Sequence, residues 1–290
     1  MVLIVGATGM LGSEICRRLA ARGDPVRALV RRTSNPERVA LLRQLGVELV
    51  HGDLKDSSSL REACRGVDTV VSTASSTIAR QEGDSIQTVD RQGQLDLLEA
   101  AEAAGVQRFV LISFPGFDIP FPLQDAKRAV EDRLRRSRMV QVILQPTCFM
   151  EVWLSPMLGF DLANARAQVL GDGKNAVSWI SFLDVAAFAT AAVHAPDTAS
   201  GTFRLGGPEA LSPLDVVRQG EQLLGKPMAV QHVPEVALRA QLDSATDPLQ
   251  QSMAGLMLYC ARGDVIDSGA AERALGIRSQ RSVREFLGGS

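Results

Sequence analysis

The sequence predicts an α/β protein built on a doubly wound parallel sheet, with a smaller, mostly helical C-terminal lobe. Three observations predict this class: short continuous runs of Val, Ile and Leu, amphipathic stretches between them, and a glycine motif directly after the first run. Continuous apolar runs indicate strands that are covered on both faces. Strands that alternate with helices at this spacing form right-handed βαβ units, and these build a parallel sheet.

The first half of the chain supplies the strands and helices in regular alternation. The apolar runs predict strands at 2–5, 26–30, 47–51, 69–72, 109–113 and 140–144. The stretches between them predict helices at 12–22, 36–45, 58–64, 88–104 and 125–136.

After residue 151 the alternation is less regular. A turn sequence, Gly171-Asp172-Gly173-Lys174, separates apolar segments at 168–170 and 177–180 and favours a hairpin. Residues 202–205 are expected to return to the main sheet as its last strand. Helices are predicted at 182–194, at 213–224 (after the N-cap Ser212), within 234–262 and at 270–275.

These elements suggest two units along the chain. We expect a nucleotide-binding domain at 1–153, to which 176–206 returns, and a smaller substrate-binding lobe made from 154–175 and 207–290.

Composition and charge narrow the class of protein. The 290 residues are 46% hydrophobic and 22% charged, as in a globular protein, and the formal net charge is -2. A near-neutral balance argues against nucleic-acid contact, because coating a polyanion needs excess cations. No apolar run approaches the roughly 20 residues that span a bilayer. The N-terminus lacks a signal-peptide pattern, so a cytoplasmic location is expected. We also expect a small-molecule substrate and a monomer or homodimer.

Metal binding is not expected. The four cysteines are scattered, none forms a CxxC pair, and the three histidines lie far from them in the sequence. This spacing favours neither a zinc site nor a disulfide scaffold.

The motif Gly6-Ala7-Thr8-Gly9-Met10-Leu11-Gly12 follows the first predicted strand and opens a helix. Glycines allow the tight turn, the approach of a pyrophosphate to the backbone and close packing of helix on strand. The helix N-terminus adds free N–H groups and the positive end of a dipole. Although the spacing is GxxGxxG rather than GxGxxG, its context predicts a dinucleotide site of the Rossmann type; a glycine turn without a ligand is the alternative.

The end of the second strand favours one cofactor over the other. NAD-binding proteins usually carry an acid there, which accepts from the ribose hydroxyl, whereas a 2′-phosphate needs an arginine. This chain has Arg31 and Arg32 and no acid. The pair predicts NADP(H), with NAD(H) possible, unless both arginines are only solvated surface charge.

Taken together, the motifs resemble the NmrA-like family of atypical short-chain dehydrogenases/reductases, which includes isoflavone-reductase-like and quinone-reductase-like enzymes and redox-sensing regulators. The resemblance covers roughly residues 1 to 225. Besides the glycine motif and the arginine pair, it rests on Gly52-Asp53-Leu54, Asp90-Arg91-Gln92-Gly93, Ala103-Ala104-Gly105-Val106-Gln107-Arg108-Phe109, Ala126-Lys127 with Glu131, Gln145-Pro146-Thr147-Cys148-Phe149-Met150-Glu151 and Ser181-Phe182-Leu183-Asp184-Val185-Ala186.

The resemblance implies further cofactor-binding residues. Asp53 and Leu54 would lie beside the adenine, and Lys127 would hydrogen-bond the nicotinamide ribose. The remaining positions would line the adenosine ribose and pyrophosphate (Thr73, Ala74 and Ser75) or abut the nicotinamide (Pro146, Thr147 and Phe149). Two simpler interpretations stay open: Asp53 could cap a turn, and Phe149 could be core.

The usual Tyr-x-x-x-Lys dyad of this superfamily is not in the sequence. Leu123 stands four residues before Lys127, and the single tyrosine is Tyr259. Lys127 itself is predicted near the start of a helix, where the dipole disfavours a cation, and burial would lower its pKa towards neutrality. The resemblance implies proton transfer by this lysine; ribose anchoring or pairing with Glu131 are the alternatives.

Ser113 is the second candidate catalytic residue. It ends the fifth predicted strand, where ligands gather in open α/β sheets, and its hydroxyl could donate to a substrate carbonyl or cap the strand. Nearby aromatic and apolar residues suggest a pocket for a flat substrate, although core packing is also common at such positions: Phe114, Phe117, Phe149, Met150 and Trp153.

The sequence therefore favours an NAD(P)H-dependent oxidoreductase that transfers hydride to a quinone, enone or carbonyl. The alternative is a non-catalytic NAD(P)-binding sensor, regulator or assembly factor, which the missing tyrosine also permits. A sugar epimerase would need a tyrosine near Lys127, and none is there.

Overall fold

The computed structural model describes residues 1–78 and 80–289. Its strands are β1 (Val2–Val5), β2 (Val26–Val30), β3 (Glu48–His51), β4 (Thr69–Ser72), β5 (Arg108–Ile112), β6 (Val140–Pro146), β7 (Phe160–Asp161), β8 (Arg166–Leu170), β9 (Gly201–Leu205) and β10 (Ala229–Val233).

The helices connect and cover these strands. They are α1 (Met10–Ala21), α2 (Pro36–Gln44), α3 (Ser57–Ala63), α4 (Gln94–Ala103), α5 (Pro122–Arg135), α6 (Met150–Trp153), α7 (Phe182–His194), α8 (Pro213–Leu224), α9 (Glu235–Ser244), α10 (Pro248–Arg262), α11 (Gly269–Leu275) and α12 (Val283–Leu287). A π-helix, Ile86–Gly93, precedes α4, and short 3-10 turns lie at Pro156–Leu158 and Asp197–Ala199.

The main sheet has seven strands in the order β3-β2-β1-β4-β5-β6-β9, and every pairing in it is parallel. This confirms the predicted doubly wound fold, including the return of 202–205 beside β6. The strand order reverses between β1 and β4, which is the crevice where such sheets bind ligands.

Both faces of the sheet are buried, as the continuous apolar runs predicted. In β1, Val2 and Ile4 pack into a core beneath α1, α2 and α7. Leu3 and Val5 point the other way, into a second core beneath α3, α4 and α5. Alternate side chains of the inner strands therefore fill two separate cores, whereas the edge strands β3 and β9 are partly exposed.

One predicted helix has a different structure. The stretch 88–104 was expected to be one regular helix, but its first part is the π-helix. A capping box begins it: Ser85 Oγ accepts from the Thr88 amide at 3.0 Å, and Thr88 Oγ1 accepts from the Ser85 amide at 2.9 Å. π-Helical segments are rare and frequently occur at functional sites.

The predicted hairpin of 168–170 with 177–180 is wrong. Strand β8 pairs instead with β7 in the antiparallel direction and with β10 in parallel, forming a separate three-stranded sheet. Val177 forms isolated bridges with Leu211 and Asp264. Strands β7 and β10 occupy the two edges of β8, and the local sequence pattern does not indicate either pairing.

The rest of the second unit is helical, as predicted. The helical structure predicted within 234–262 consists of two helices, and Asp247 caps the second by accepting from the Gln250 amide at 2.9 Å. Over the described part of the chain, no helix is long and apolar enough to cross a membrane. The two-unit division by residue ranges stays a prediction.

Candidate active site

The glycine motif forms the turn between β1 and α1. Gly6 has φ +87°, a left-handed conformation that favours glycine, and a Cβ there would lie 2.5 Å from Thr73 Oγ1. A Cβ on Gly12 would lie 2.2 Å from the Gly6 carbonyl oxygen. Gly12 therefore packs backbone to backbone on the loop, and Gly6 packs on the segment after β4, which leaves no room for side chains at these two positions.

The N-terminus of α1 offers unpaired donors. The N-cap is the exposed Gly9, which has no side chain to cap the helix, and the first turn contains no acidic residue. The amides of Met10, Leu11 and Gly12 lie in that turn, where no earlier helical carbonyl can accept from them. Thr8 is half-buried beside them. This end of α1 suits an anion such as a pyrophosphate.

Cations stand at the end of β2. Arg31 follows the last residue of that strand and is half-buried, whereas Arg32 is exposed. A third arginine, Arg38 of α2, donates from Nη1 to the Thr8 carbonyl at 3.0 Å. The carboxyl end of β2 and the glycine loop thus share a border of arginine side chains, of which Arg31 is ion-paired with Asp84 at 2.6 Å.

The Asp53–Leu54 pair follows β3. Asp53 Oδ1 accepts from the Lys55 amide at 2.9 Å, so in this structure its carboxylate caps a turn. Leu54 is buried, and a Cβ on Gly93 would lie 2.7 Å from its Cβ. The π-helix therefore packs tightly against the segment predicted to contact adenine.

The segment after β4 lies beside the glycine loop. The Thr73 amide donates to the Val5 carbonyl at 2.9 Å, which continues the β1–β4 pairing by one residue. Ala74 and Ser75 follow, both half-buried. All three predicted residues therefore border the crevice where the strand order reverses.

A buried ion pair lies next to this segment. Lys127 of α5 is 6% exposed, its Nζ donates to the Ile112 carbonyl at 3.4 Å, and it lies 4.0 Å from Asp90 Oδ1. Asp90 belongs to the π-helix and is fully buried. Its Oδ2 accepts from the amide and hydroxyl of Ser76 at 3.0 and 2.6 Å, while Oδ1 accepts no hydrogen bond from any described residue.

Burial has the largest effect on the charge of Lys127. It lowers the pKa of the Lys127 ammonium, and the charges of Asp90 and Glu131 only partly oppose the effect. Because α5 begins at Pro122 rather than at 125, Lys127 lies beyond the first turn, so the helix dipole is not the cause. Glu131 is bonded elsewhere, by Arg128, Arg135 and Gln145.

Ser113 follows β5 directly and is buried. Its hydroxyl accepts from Arg128 Nη2 at 3.1 Å, and the same nitrogen donates to the Phe114 carbonyl at 2.5 Å. The Arg128 guanidinium also lies 5.6 Å from the Phe114 ring centroid. This contact leaves the Ser113 hydroxyl hydrogen free to donate to another acceptor.

The residues predicted at the nicotinamide lie at the end of β6. Pro146 is its last residue, Thr147 is buried and donates its amide to the Leu205 carbonyl at 2.9 Å, and Phe149 is the half-buried N-cap of α6. Phe149 also packs against the core beneath α7.

A cavity of about 300 Å³ opens next to α6. Trp153 at the end of α6, Met157, Trp179 and Met257 line it together with further apolar residues, and Gln168 adds a polar group. Since α6 is a single turn, the cavity begins about one helical turn from Phe149. Of the five predicted pocket residues, only Trp153 lines this cavity; Phe114 instead stacks on Phe121, with ring centroids 5.9 Å apart.

The hydroxyl of Tyr259, the single tyrosine of the sequence, is bonded to a carboxylate. Tyr259 lies on α10, is buried, and donates its hydroxyl proton to the Asp264 carboxylate. Burial and the neighbouring charges raise its pKa well above the ordinary value, which makes the phenol a poor acid.

Several site residues carried no assigned role at the sequence level: Asp90, Arg128, Arg38, Lys55 and Asp84. Asp90 had a detectable signal, since it shares the spacing of the buried Ile86, Val89 and Gly93 and is the one charge on that face. Arg38 and Arg128 gave no such signal, because arginine is common on exposed helix faces.

Comparison with known proteins places these observations in a family. A model of the NmrA-like family matches residues 1–287. A (4-alkanoyl-5-oxo-2,5-dihydrofuran-3-yl)methyl phosphate reductase of Streptomyces griseus is 32% identical, over 86% of this chain and 82% of its own length. A photosystem II assembly factor, Ycf39 of Trieres chinensis, is 29% identical, over 82% of this chain and 73% of its own.

The fold is shared with solved structures. An NADPH-dependent quinone oxidoreductase of Escherichia coli, solved in complex with NADPH, superposes with a TM-score of 0.76 at 22% identity, covering 100% of this chain and 99% of that one.

Proposed function

The chain belongs to the NmrA-like family, and from this we propose that it is an NAD(P)H-dependent reductase that transfers hydride to a quinone, enone or carbonyl substrate. The observation that carries the proposal is the buried Lys127–Asp90 pair beside the crevice between β1 and β4. The reductase among its relatives and the quinone oxidoreductase of the same fold support this class of activity.

The residues of this chain fit a dinucleotide. The uncapped N-terminus of α1 would hold the pyrophosphate, with the close approach that Gly6 and Gly12 allow. Arg31, with Arg32 and Arg38 nearby, would hold a 2′-phosphate, which favours NADP(H). Asp90 Oδ1, buried and without a hydrogen-bond donor among the described residues, points to a polar ligand group in the crevice.

Lys127 would supply the proton. A reduced nicotinamide bound in this crevice supplies the hydride. The Lys127 ammonium, whose pKa burial has lowered, donates its proton to the substrate oxygen that gains electrons, and Asp90 stabilises the charged form of the lysine. The Ser113 hydroxyl donates a hydrogen bond to the same substrate oxygen. Arg128 orients this hydroxyl by donating a hydrogen bond to it.

The cavity beside α6 would hold the substrate. Its lining of Trp153, Trp179, Met157 and Met257 suits a flat apolar ring, and Gln168 can bond one polar substituent. Quinones need the least assistance from a proton donor, so they suit a site that lacks the tyrosine.

Turnover of NADPH tests the proposal. We would measure NADPH oxidation with a panel of quinones and enones for the wild type and for Lys127→Met, with Lys226→Met, an exposed lysine, as the matched control. We expect turnover by the wild type and the control, and a large loss of kcat in Lys127→Met with little change in NADPH affinity. A loss of affinity alone would instead assign Lys127 to ribose anchoring.

A second function has specific support. The assembly factor among the relatives favours a protein that binds the dinucleotide without turnover. NADPH binding, measured by calorimetry, with no oxidation across the panel would select this alternative.

A further inference from the structure

An acidic segment lies across the cations at the ends of β2 and β3. We call residues 81–84, between β4 and the π-helix, the strap. Gln81 Nε2 donates to the Thr33 carbonyl at 3.1 Å, after β2, and the Glu82 carbonyl accepts from Lys55 Nζ at 3.1 Å, after β3. The strap is therefore fixed to both strand ends that border the predicted adenosine site.

Asp84 is the centre of these contacts. Its carboxylate accepts from Arg31 Nη1 at 2.6 Å, from Lys55 Nζ at 2.5 Å and from the Gln81 amide at 3.0 Å. The side chain is only 2% exposed, whereas those of Arg31 and Lys55 are 29% and 27% exposed. Burial raises its pKa, but the bonds from Lys55, Arg31 and Gln81 outweigh that effect and keep it ionised.

Asp84 makes contacts of the kind that a bound phosphate would make. A carboxylate and a phosphate are both anions that can accept two hydrogen bonds from a guanidinium, and both favour charge-assisted bonds to Arg and Lys. Arg31 is the arginine at the end of β2, where a ribose 2′-phosphate is recognised in this kind of fold. Asp84 therefore binds Arg31, the cation that the 2′-phosphate of NADPH needs. NADH carries a 2′-hydroxyl in place of this phosphate and does not need Arg31.

We propose that Asp84 is a specificity-determining residue, which competes with the 2′-phosphate for Arg31 and Lys55 and so weakens the preference for NADPH over NADH. The proposal rests on the proposed dinucleotide function. If the strap stays in place, the phosphate is repelled by the carboxylate. If the strap moves away, the two ion pairs must be broken. Both routes disfavour NADPH and leave NADH unaffected or less affected.

Paired affinities test this inference. We would measure Kd for NADPH and for NADH by calorimetry in the wild type, in Asp84→Asn and in the matched control Glu82→Gln, which removes the same charge from an exposed position of the strap. We expect Asp84→Asn to raise the ratio of the NADH Kd to the NADPH Kd by about tenfold, as the loss of a charged competitor implies. Glu82→Gln should leave the ratio unchanged.

Two further variants keep the test decisive. Asp84→Glu retains the charge and should keep the ratio near that of the wild type, even if removal of the carboxylate loosens the strap. In an Arg31→Met background, Asp84→Asn should change the ratio by less than it does in the wild-type background, because the share of the competition that involves Arg31 is gone and only that for Lys55 and the direct repulsion remain. A ratio that is unchanged or lower in Asp84→Asn while both nucleotides bind would overturn the role of Asp84 alone. Failure of the wild type to bind either nucleotide would overturn the proposed function as well.

Discussion

Removing either partner of the Lys127–Asp90 pair should destabilise the fold. At 4.0 Å, two opposite charges attract by about 4 kcal/mol at an effective dielectric constant of roughly 20. Both side chains are buried, so a single substitution leaves the partner's charge without compensation, which typically costs about 3–5 kcal/mol. Asp90 keeps its bonds to Ser76, so we expect the lower end, about 3 kcal/mol, for Lys127→Met at pH 7.

A double-mutant cycle isolates the pair. Urea unfolding would be followed by circular dichroism for Lys127→Met, Asp90→Asn and the double variant, with Lys226→Met as the control. We expect the double variant to lose clearly less stability than the two single losses added together. A cycle that is additive to within about 0.5 kcal/mol would refute the ion pair.

The Asp90→Asn variant also tests the pair through the pH dependence of activity. Asp90 raises the pKa of Lys127, so without its charge the already lowered pKa falls further. If the ammonium is the proton donor, activity declines as the pH rises past this pKa. Asp90→Asn should therefore move the alkaline limb of kcat/KM to lower pH by at least about one pH unit. An unmoved limb would mean that Lys127 is not the group that titrates.

Three further predictions concern the loop, the thiols and the π-helix. Gly12→Ala should lower the free energy of unfolding, measured by thermal unfolding, by roughly 1–3 kcal/mol, because its Cβ would meet the Gly6 carbonyl oxygen at 2.2 Å. Gly9→Ala should lower it less, because Gly9 is exposed and its Cβ would lie 3.2 Å from the same oxygen. All four cysteines are buried, and burial raises the pKa of Cys16 to about 12. We therefore expect a thiol reagent at pH 8 to label the native protein slowly and the guanidinium-unfolded protein at once, and one fast native thiol would contradict this. Ser85→Ala removes one half of the capping box and should cost about 1 kcal/mol, with faster amide exchange confined to the π-helix; uniform exchange would argue against a local role.

The order of strands and helices in the first half could be predicted because it depends on local physics. A strand covered on both faces needs a continuous apolar run, as in β1. A GxxGxxG turn can bring a helix N-terminus to a pyrophosphate only where it connects a strand to a helix, as it does between β1 and α1. Arg31 was placed correctly at the end of β2 for the same reason.

The pairing of the second sheet was not predictable, since β8 joins β10 across a long stretch of chain. Local turn residues at 171–174 indicated a reversal but not the partner strands. The boundary of α5 was also misjudged. This removes the helix dipole as a cause of the lowered Lys127 pKa and leaves burial, the other cause that the sequence predicted.

The sequence by itself determined the sheet, the glycine loop and the identity of the cationic residues, since periodicity and strand-end position are properties of neighbouring residues. Only the tertiary structure decided which charges meet. Arg31 and Asp84 are 53 positions apart, and Lys127 meets Asp90 across two different helices, α5 and the π-helix. Such pairs depend on how the helices pack over the crevice. Burial then sets the strength of each ion pair, because opposite charges attract more strongly in a medium of low dielectric constant.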